Sequence, residues 1–403
     1  MTLAPYRQVL ALSELRTLLL VALLARVPVT AASVTLTLHV VLDLGRGYAA
    51  AGLIGTAWTI GAALGAPLMG RLVDRRGLRP MLALTTIAEG VFWFGAPALP
   101  YPALLATAFF GGLLTLPVFS VVRQSIAALV PAERRRPAYA LDSMSVELSF
   151  MVGPALAVWL ATGVSPRSTM LAVGGGVILS GLMLYVFNPP VRADDESVAT
   201  TGPLSRRQWL TPRLIGVLVM SAAATVVLAG TDVSVVAALN EADQLAWTGA
   251  VLAAWAAYSM VGGFAYGTLT RSVSPVVIVA LLGLFTVPMG LGGGEWWLLA
   301  LALVPAGALC APAIASTANA VSRLAPPSVR GEAMGLHGSA ITIGNSLGAP
   351  LAGVVIDSAG PAWGFATVGF VGALAALALL PGELRRRRSP EPEQALVTAG
   401  AAS

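Results

Sequence analysis

The sequence predicts an all-α membrane protein of twelve transmembrane helices in two pseudo-symmetric six-helix bundles. Composition, the spacing of apolar runs and the placement of arginine each point there. Of 403 residues, 57% are hydrophobic and 11% charged, against about 25% charged in an ordinary soluble domain. So few charges cannot cover the aqueous surface of a chain this long, so most of its surface faces lipid.

A bilayer core takes about 20 apolar residues per helix. Runs of that length fall at 16–41, 47–70, 79–98, 102–130, 137–162 and 168–188, then 214–238, 245–269, 275–292, 296–322, 332–356 and 362–381. The polar stretch 189–213, with Asp194, Asp195 and Glu196, divides a bundle over 1–188 from one over 214–388 and reads as a cytoplasmic linker. Residues 389–403, with Pro390 and Pro392, read as a disordered cytoplasmic tail. The first run is too long for a signal peptide and lacks a cleavage pattern.

All 24 basic residues are arginine. With both termini in the cytoplasm, 20 of them fall in or beside inner segments, while Arg46 and Arg167 fall outside and Arg26 and Arg123 fall within helices. The positive-inside rule thus orients a multi-pass protein of the cytoplasmic membrane. The net charge of +5 reads as topology and not as a nucleic-acid footprint.

Shifting the chain by 195 residues aligns the halves. Eight positions are identical between 129–157 and 324–352, including Pro131 with Pro326, Arg135 with Arg330 and Gly153 with Gly348. An even number of helices per half makes this a parallel repeat.

The most specific motif is the loop Gly70-Arg71-Leu72-Val73-Asp74-Arg75-Arg76-Gly77-Leu78-Arg79. It resembles the loop between helices 2 and 3 of the major facilitator superfamily, which carries glycine, aspartate, a basic residue and glycine at this spacing. Gly153-Pro154 resembles that family's exporter-associated signature. Thr107 departs from the pattern where an exporter arginine would stand, and Arg26 stands in place of a membrane acid. The resemblance implies a bacterial, drug-exporter-like carrier of a small organic molecule working by alternating access. It further implies a monomer in contact with membrane lipid, with protons as coupling partner and no cofactor. In the loop, Gly70 and Gly77 permit a close turn. Asp74 can meet a helix N-terminus or an arginine across the bundle interface. Gating residues on this reading are Gly70, Asp74, Arg75, Gly77, Gly153 and Pro154; the other reading is a basic loop that only sets topology.

Charges at membrane depth mark sites, because burying one costs roughly 2.5–3.5 kcal/mol even on lenient scales. Arg26, Glu89 and Glu147 each lie ten residues into a run that starts inside, about 15 Å at helical rise. Arg123 lies eight residues before Pro131. The sequence suggests that Arg26 and Arg123 neutralise Glu147 and Glu89 in one layer, perturbed by substrate or proton; a static ion-pair network is the other reading. Asp232, near an outer end, is a cavity acid or an interface residue. His337 aligns with Asp142 across the repeat and reads as a helix-end residue. Trp247, Trp296, Trp297 and Trp363 suit an interfacial belt.

The sequence also narrows what else the chain could be. His39 and His337 lie on unrelated segments, which argues against a metal site, and the one cysteine, Cys310, permits no internal disulfide. There is no phosphate-cradling Gly-Lys loop and no Gly-x-Ser-x-Gly elbow. The alternatives to proton-coupled efflux are uptake or facilitated passage of a polar metabolite, and, in another class, a non-transporting membrane sensor or a membrane enzyme.

Overall fold

A lone apolar segment in lipid must pair every backbone N–H and C=O within itself, which leaves the helix as its one form. The apolar runs fold accordingly in the computed structural model, which describes residues 4–192, 205–269, 273–292 and 294–388. Helices α1 (Ala4–Leu10), α2 (Ser13–Leu38), α3 (Tyr48–Arg76), α4 (Leu78–Gly95), α5 (Tyr101–Leu113), α6 (Val118–Leu129), α7 (Arg135–Gly163) and α8 (Pro166–Phe187) build the first half. A short α9 (Arg206–Trp209) precedes α10 (Pro212–Glu241), α11 (Thr248–Thr268), α12 (Pro275–Thr286), α13 (Trp296–Ala302), α14 (Val304–Leu324), α15 (Arg330–Ala359) and α16 (Pro361–Arg388). No strand occurs among the described residues. Eleven helical stretches are long and apolar enough to cross a bilayer, and a shorter apolar one, Pro275–Leu291, makes a twelfth. The expected tail 389–403 and most of the linker, 193–204, lie outside the described residues.

Two runs read as single helices are broken. The run 102–130 divides at 114–117, before Pro117, into α5 and α6; the run 296–322 divides at Leu303 into α13 and α14. A proline offers no N–H to the preceding turn and clashes with the carbonyl four residues back, which accounts for the first break. Gly77, at φ +84°, turns the chain from α3 into α4 in one residue, a backbone state side chains rarely adopt.

The repeat is visible in the packing. Within the first half α2 packs on α7 and α8, α3 on α5, and α4 on α8; in the second half α10 packs on α15 and α16, α11 on α14, and α12 on α16. Each second-half pair is the counterpart of a first-half pair. Across the halves, α3 meets α15 and α7 meets α11, again counterparts. Side chains repeat it too. Thr30 Oγ1 donates to the Ser149 carbonyl 2.8 Å away, tying α2 to α7, and Thr225 Oγ1 donates to the Ile341 carbonyl at 3.1 Å, tying α10 to α15.

Lipid gives helices no hydrophobic drive to associate, so close backbone approach at small residues does that work. A Cβ on Gly61 or Gly65 of α3 would collide with the Phe109 or Leu113 carbonyl of α5, and one on Gly112 with the Trp58 carbonyl. Gly262 of α11 faces the Ala308 carbonyl of α14 in the same way. Trp247 and Trp296 stack face to face, ring centroids 4.3 Å apart, near the helix ends remote from the arginine loops.

The α3–α5 seam yields a test. Gly65→Leu should overpack it and destabilise by at least the roughly 1–3 kcal/mol typical of overpacking, seen as a lower thermal midpoint in detergent. Gly55→Ala, with nothing within 4 Å of the added Cβ, should change stability by about 0.5 kcal/mol or less.

Candidate functional site

The two halves enclose a seam with a polar layer at mid-depth and a sealed end on the arginine-rich side. At mid-depth, Arg26 on α2 is fully buried and its Nη2 donates to Asp142 Oδ1 at 2.5 Å. Its Nη1 reaches Ser145 Oγ at 3.4 Å and its guanidinium lies over the Phe119 ring, 5.1 Å from the centroid. Arg123 on α6 donates from Nε to the other Asp142 oxygen at 3.4 Å, and its carbonyl accepts from Tyr139 Oη at 3.0 Å. Arg123 Nη1 stands 3.3 Å from His337 Nδ1 on α15, and His337 Nε2 stands 3.1 Å from Thr317 Oγ1 on α14. A guanidinium only donates, so Nδ1 accepts and the imidazole is neutral with its proton on Nε2.

Asp142, and neither glutamate, is therefore the acid that pairs with Arg26 and Arg123. The expected pairing with Glu147 and Glu89 fails for a geometric reason. Asp142 and Glu147 are five residues apart on α7, about 140° around a helix of 3.6 residues per turn, so they face different neighbours. Glu147 turns across the seam and accepts from Ser259 Oγ of α11 at 2.9 Å; that oxygen in turn accepts from the Ala311 N–H at 3.1 Å. Glu89, buried on α4, accepts from Thr115 Oγ1 at 2.8 Å and from the Leu116 N–H at 3.2 Å, holding the backbone freed where α5 stops. Asp232 is exposed on α10 and lies within electrostatic reach of Glu147.

At the sealed end, Asp74 reaches the start of α15. Its Oδ1 accepts from the Gly331 N–H at 2.9 Å and its Oδ2 from the Glu332 N–H at 2.7 Å, satisfying donors that a helix start leaves unpaired. Gln124 Nε2 adds a 3.4 Å contact, and Arg192 Nη2 donates to the Asp74 carbonyl at 2.5 Å. A Cβ on Gly331 would lie 2.6 Å from the Gly70 carbonyl oxygen and from Asp74 Oδ1, so only glycine fits there. Buried Glu332 pairs with Arg206 Nη2 at 2.5 Å and Arg71 Nε at 3.5 Å. Ser339 Oγ donates to the Ala63 carbonyl at 2.5 Å and Ser120 Oγ to the Met334 carbonyl at 3.2 Å. Tyr6 on α1 donates to the Phe264 carbonyl at 2.6 Å and stacks on that ring, carrying the N-terminal arm onto α11. Arg75 is exposed to solvent. Gly153 packs against Thr30 and Val27 within the first half, with Pro154 next to it inside α7.

Sequence reasoning missed Asp142, Glu332 and Ser259 as partners. A usable signal existed for Asp142: it is the repeat mate of His337, and Arg123 sits between the two. Among the described residues no cluster of His, Cys, Asp and Glu could hold a metal ion.

Twelve apolar helices in paired sixes with this loop at the seam match a known profile. The sequence profile of the Major Facilitator Superfamily matches residues 18–294 and 274–402. The chain belongs to the Major Facilitator Superfamily. It is 29% identical over 358 residues to the inner membrane transport protein YdhP of Escherichia coli K12, spanning 85% of this chain and 88% of that protein. Among solved structures, the human organic anion transporter MFSD10 matches with TM-score 0.66 at 19% identity, over 93% of this chain and 99% of that one. A bacterial homologue of the iron transporter ferroportin matches with TM-score 0.71 at 16% identity, over 90% and 96%. At such identities the structural likeness speaks for the fold alone. This facilitator is a multi-pass membrane transporter and not an enzyme.

The buried cluster yields a second test. Asp142→Ala would strand two guanidiniums, a change that typically costs about 3–5 kcal/mol. The expected outcome is a sharp drop in the thermal midpoint in detergent, larger than for Glu147→Ala, whose hydrogen-bond partner is a neutral serine.

Proposed function

We propose that this facilitator exports a small organic molecule across the cytoplasmic membrane by alternating access, driven by proton antiport. One observation carries the reading: the hydrogen bonds that link the halves lie at mid-depth or toward the arginine-rich end, Asp74 with Gly331 and Glu332 foremost. By the positive-inside rule that end is cytoplasmic, with both termini there, and the conformer is closed inward. Residues 1–188 and 214–388 then rock as two bodies about the seam, joined by 189–213, and Asp74, Gly70 and Gly331 form the closing contact. Arg75 sits at the rim, Gly77 sets the turn, and Gly153-Pro154 lets α7 bend against α2.

The export direction and an apolar, amphipathic cargo are supported by the mostly apolar helices and by the resemblance of Gly153-Pro154 to an exporter-associated signature. Glu147 and Asp232 are the acids placed to meet cargo or protons between the halves, whereas Arg26 and Arg123 are committed to Asp142. Glu89, spent on the α5–α6 break, acts as a structural support in this reading.

Proteoliposomes with an imposed pH gradient, screened against a panel of organic dyes and drugs, test it. The expected result is gradient-driven movement that collapses with an uncoupler and falls to background in Glu147→Gln at normal expression. Uptake of a polar metabolite in the opposite sense, or gradient-independent flux, would overturn it. Asp74→Ala should raise the labelling of cysteines placed along the inner seam, since two helix-start N–H groups lose their acceptor.

A further inference from the structure

Buried polar bonds across a seam that must open are worth following, because each must break and re-form in every cycle. One of them changes with a single proton. Arg123 and His337 belong to different halves, and their 3.3 Å contact requires a lone pair on His337 Nδ1. We propose that His337 is a proton-binding site that permits the arginine-rich side to seal only when the imidazole is neutral. The proposal rests on the alternating-access reading above.

The layer holds two guanidiniums, one carboxylate and the imidazole, so with neutral His337 it already carries one excess positive charge. A proton on Nδ1 would replace an acceptor by a donor facing a guanidinium and would raise the excess to two. No water-exposed surface screens it, since Arg26, Asp142 and His337 are fully buried and Arg123 nearly so. Like charges at this separation repel strongly away from water. Among the described residues no further carboxylate contacts the layer. Asp142 on α7 is shared between Arg26 and Arg123, and Glu332, on the histidine's own helix, is engaged by Arg71 and Arg206. Of the other groups facing the layer, Tyr139 on α7 donates to the Arg123 carbonyl, and α14 offers Thr317, which does not titrate. On the far side of α15, α10 has no ionisable side chain between Arg213 and Asp232, and α16 has none before Glu383. Asp74 of α3 lies more than a turn away, at Gly331 and Glu332.

Full burial in the sealed conformer also dictates access: His337 gains or loses its proton only after the arginine-rich side has opened. It therefore samples the pH of that compartment. Acidity there holds the carrier open, and loss of the proton lets it close.

Spin labels on Arg76→Cys and Ser274→Cys, at helix ends on that side, read closure by double electron–electron resonance in phosphatidylcholine nanodiscs; Cys310 is buried and stays unlabelled. For an imidazole of ordinary pKa near 6.5 in the open state, the closed-to-open ratio should fall about tenfold between roughly pH 7.5 and pH 5.5. His337→Gln and His337→Asn keep an acceptor and a donor but cannot charge, and should hold the ratio within about twofold over that range. Arg123→Gln removes the opposing charge and should weaken the wild-type pH response, which keeps the test decisive if neither histidine variant folds. A wild-type ratio that ignores pH, or a response that survives in the histidine variants or in Arg123→Gln, overturns the proposal. Asp74→Ala separates the two layers of the argument. If it lengthens the distance while pH acts equally with and without His337, the proton site alone fails. If neither pH nor that variant ever lengthens it, alternating access fails and takes the proton site with it.

Discussion

The organising constraint of this molecule is a single carboxylate, Asp142, held between two buried guanidiniums from different helices. Neither arginine could enter the membrane interior without it, and among the described residues no second acid pairs with either one. The carboxylate therefore fixes where α2, α6 and α7 cross, and the surrounding groups answer to the charge left over. The Phe119 ring faces Arg26 with its electron-rich surface, and the His337 lone pair faces Arg123. Burial of such a cluster is poor evidence for stability, because desolvation offsets most of the attraction. What it provides is registry: three helices of the first half can meet in one way only, and one guanidinium is left to address the second half.

The repeat explains how the second half came to offer a partner there. Thr30 and Thr225, Gly153 and Gly348, and the paired contacts α3–α15 and α7–α11 are scaffold features laid down twice. Asp142 and His337 occupy equivalent places, but one is an acid and the other an imidazole. Arg123 has no basic counterpart, since Ala318 stands at the equivalent position. The charged layer is thus a departure from symmetry built on a symmetric frame. A duplicated helix pair gives packing for free on both sides, whereas a duplicated guanidinium would face its own copy.

The sequence made the fold legible because lipid forces a coarse code. Apolar length sets the spans, and Gly77 marks the one-residue turn. Partner assignment was less legible. Depth along a helix is readable from residue counts, and Arg26, Glu89 and Glu147 do lie well inside α2, α4 and α7. Rotation about the axis is not, and a five-residue separation sent Glu147 toward Ser259 while Asp142 took both arginines. Glu89 was misassigned because its donors arise only where α5 breaks before Pro117, a backbone event invisible in an apolar run. Glu332 was overlooked because it follows Arg330 at a helix start, where acids are common for dipole reasons alone.

On the proposed alternating-access reading, the sealed end must part. Its backbones come close enough at Gly70 with Gly331 and at Ala66 with Gly335 that an added Cβ would collide. Its cations sit at the rim, with Arg206 exposed and Arg71 partly so, while Asp74 is half-buried and Glu332 buried. Were the end to open, each of these groups would regain water, so the bonds lost would be replaced by hydration and the net change would be small. Deeper in, the balance differs. Arg26 and Asp142 belong to the same half as Arg123 and stay together, so the seam must divide between Arg123 and His337. That leaves the guanidinium with its carboxylate and exposes a neutral ring, the one division of this layer that separates no opposite charges.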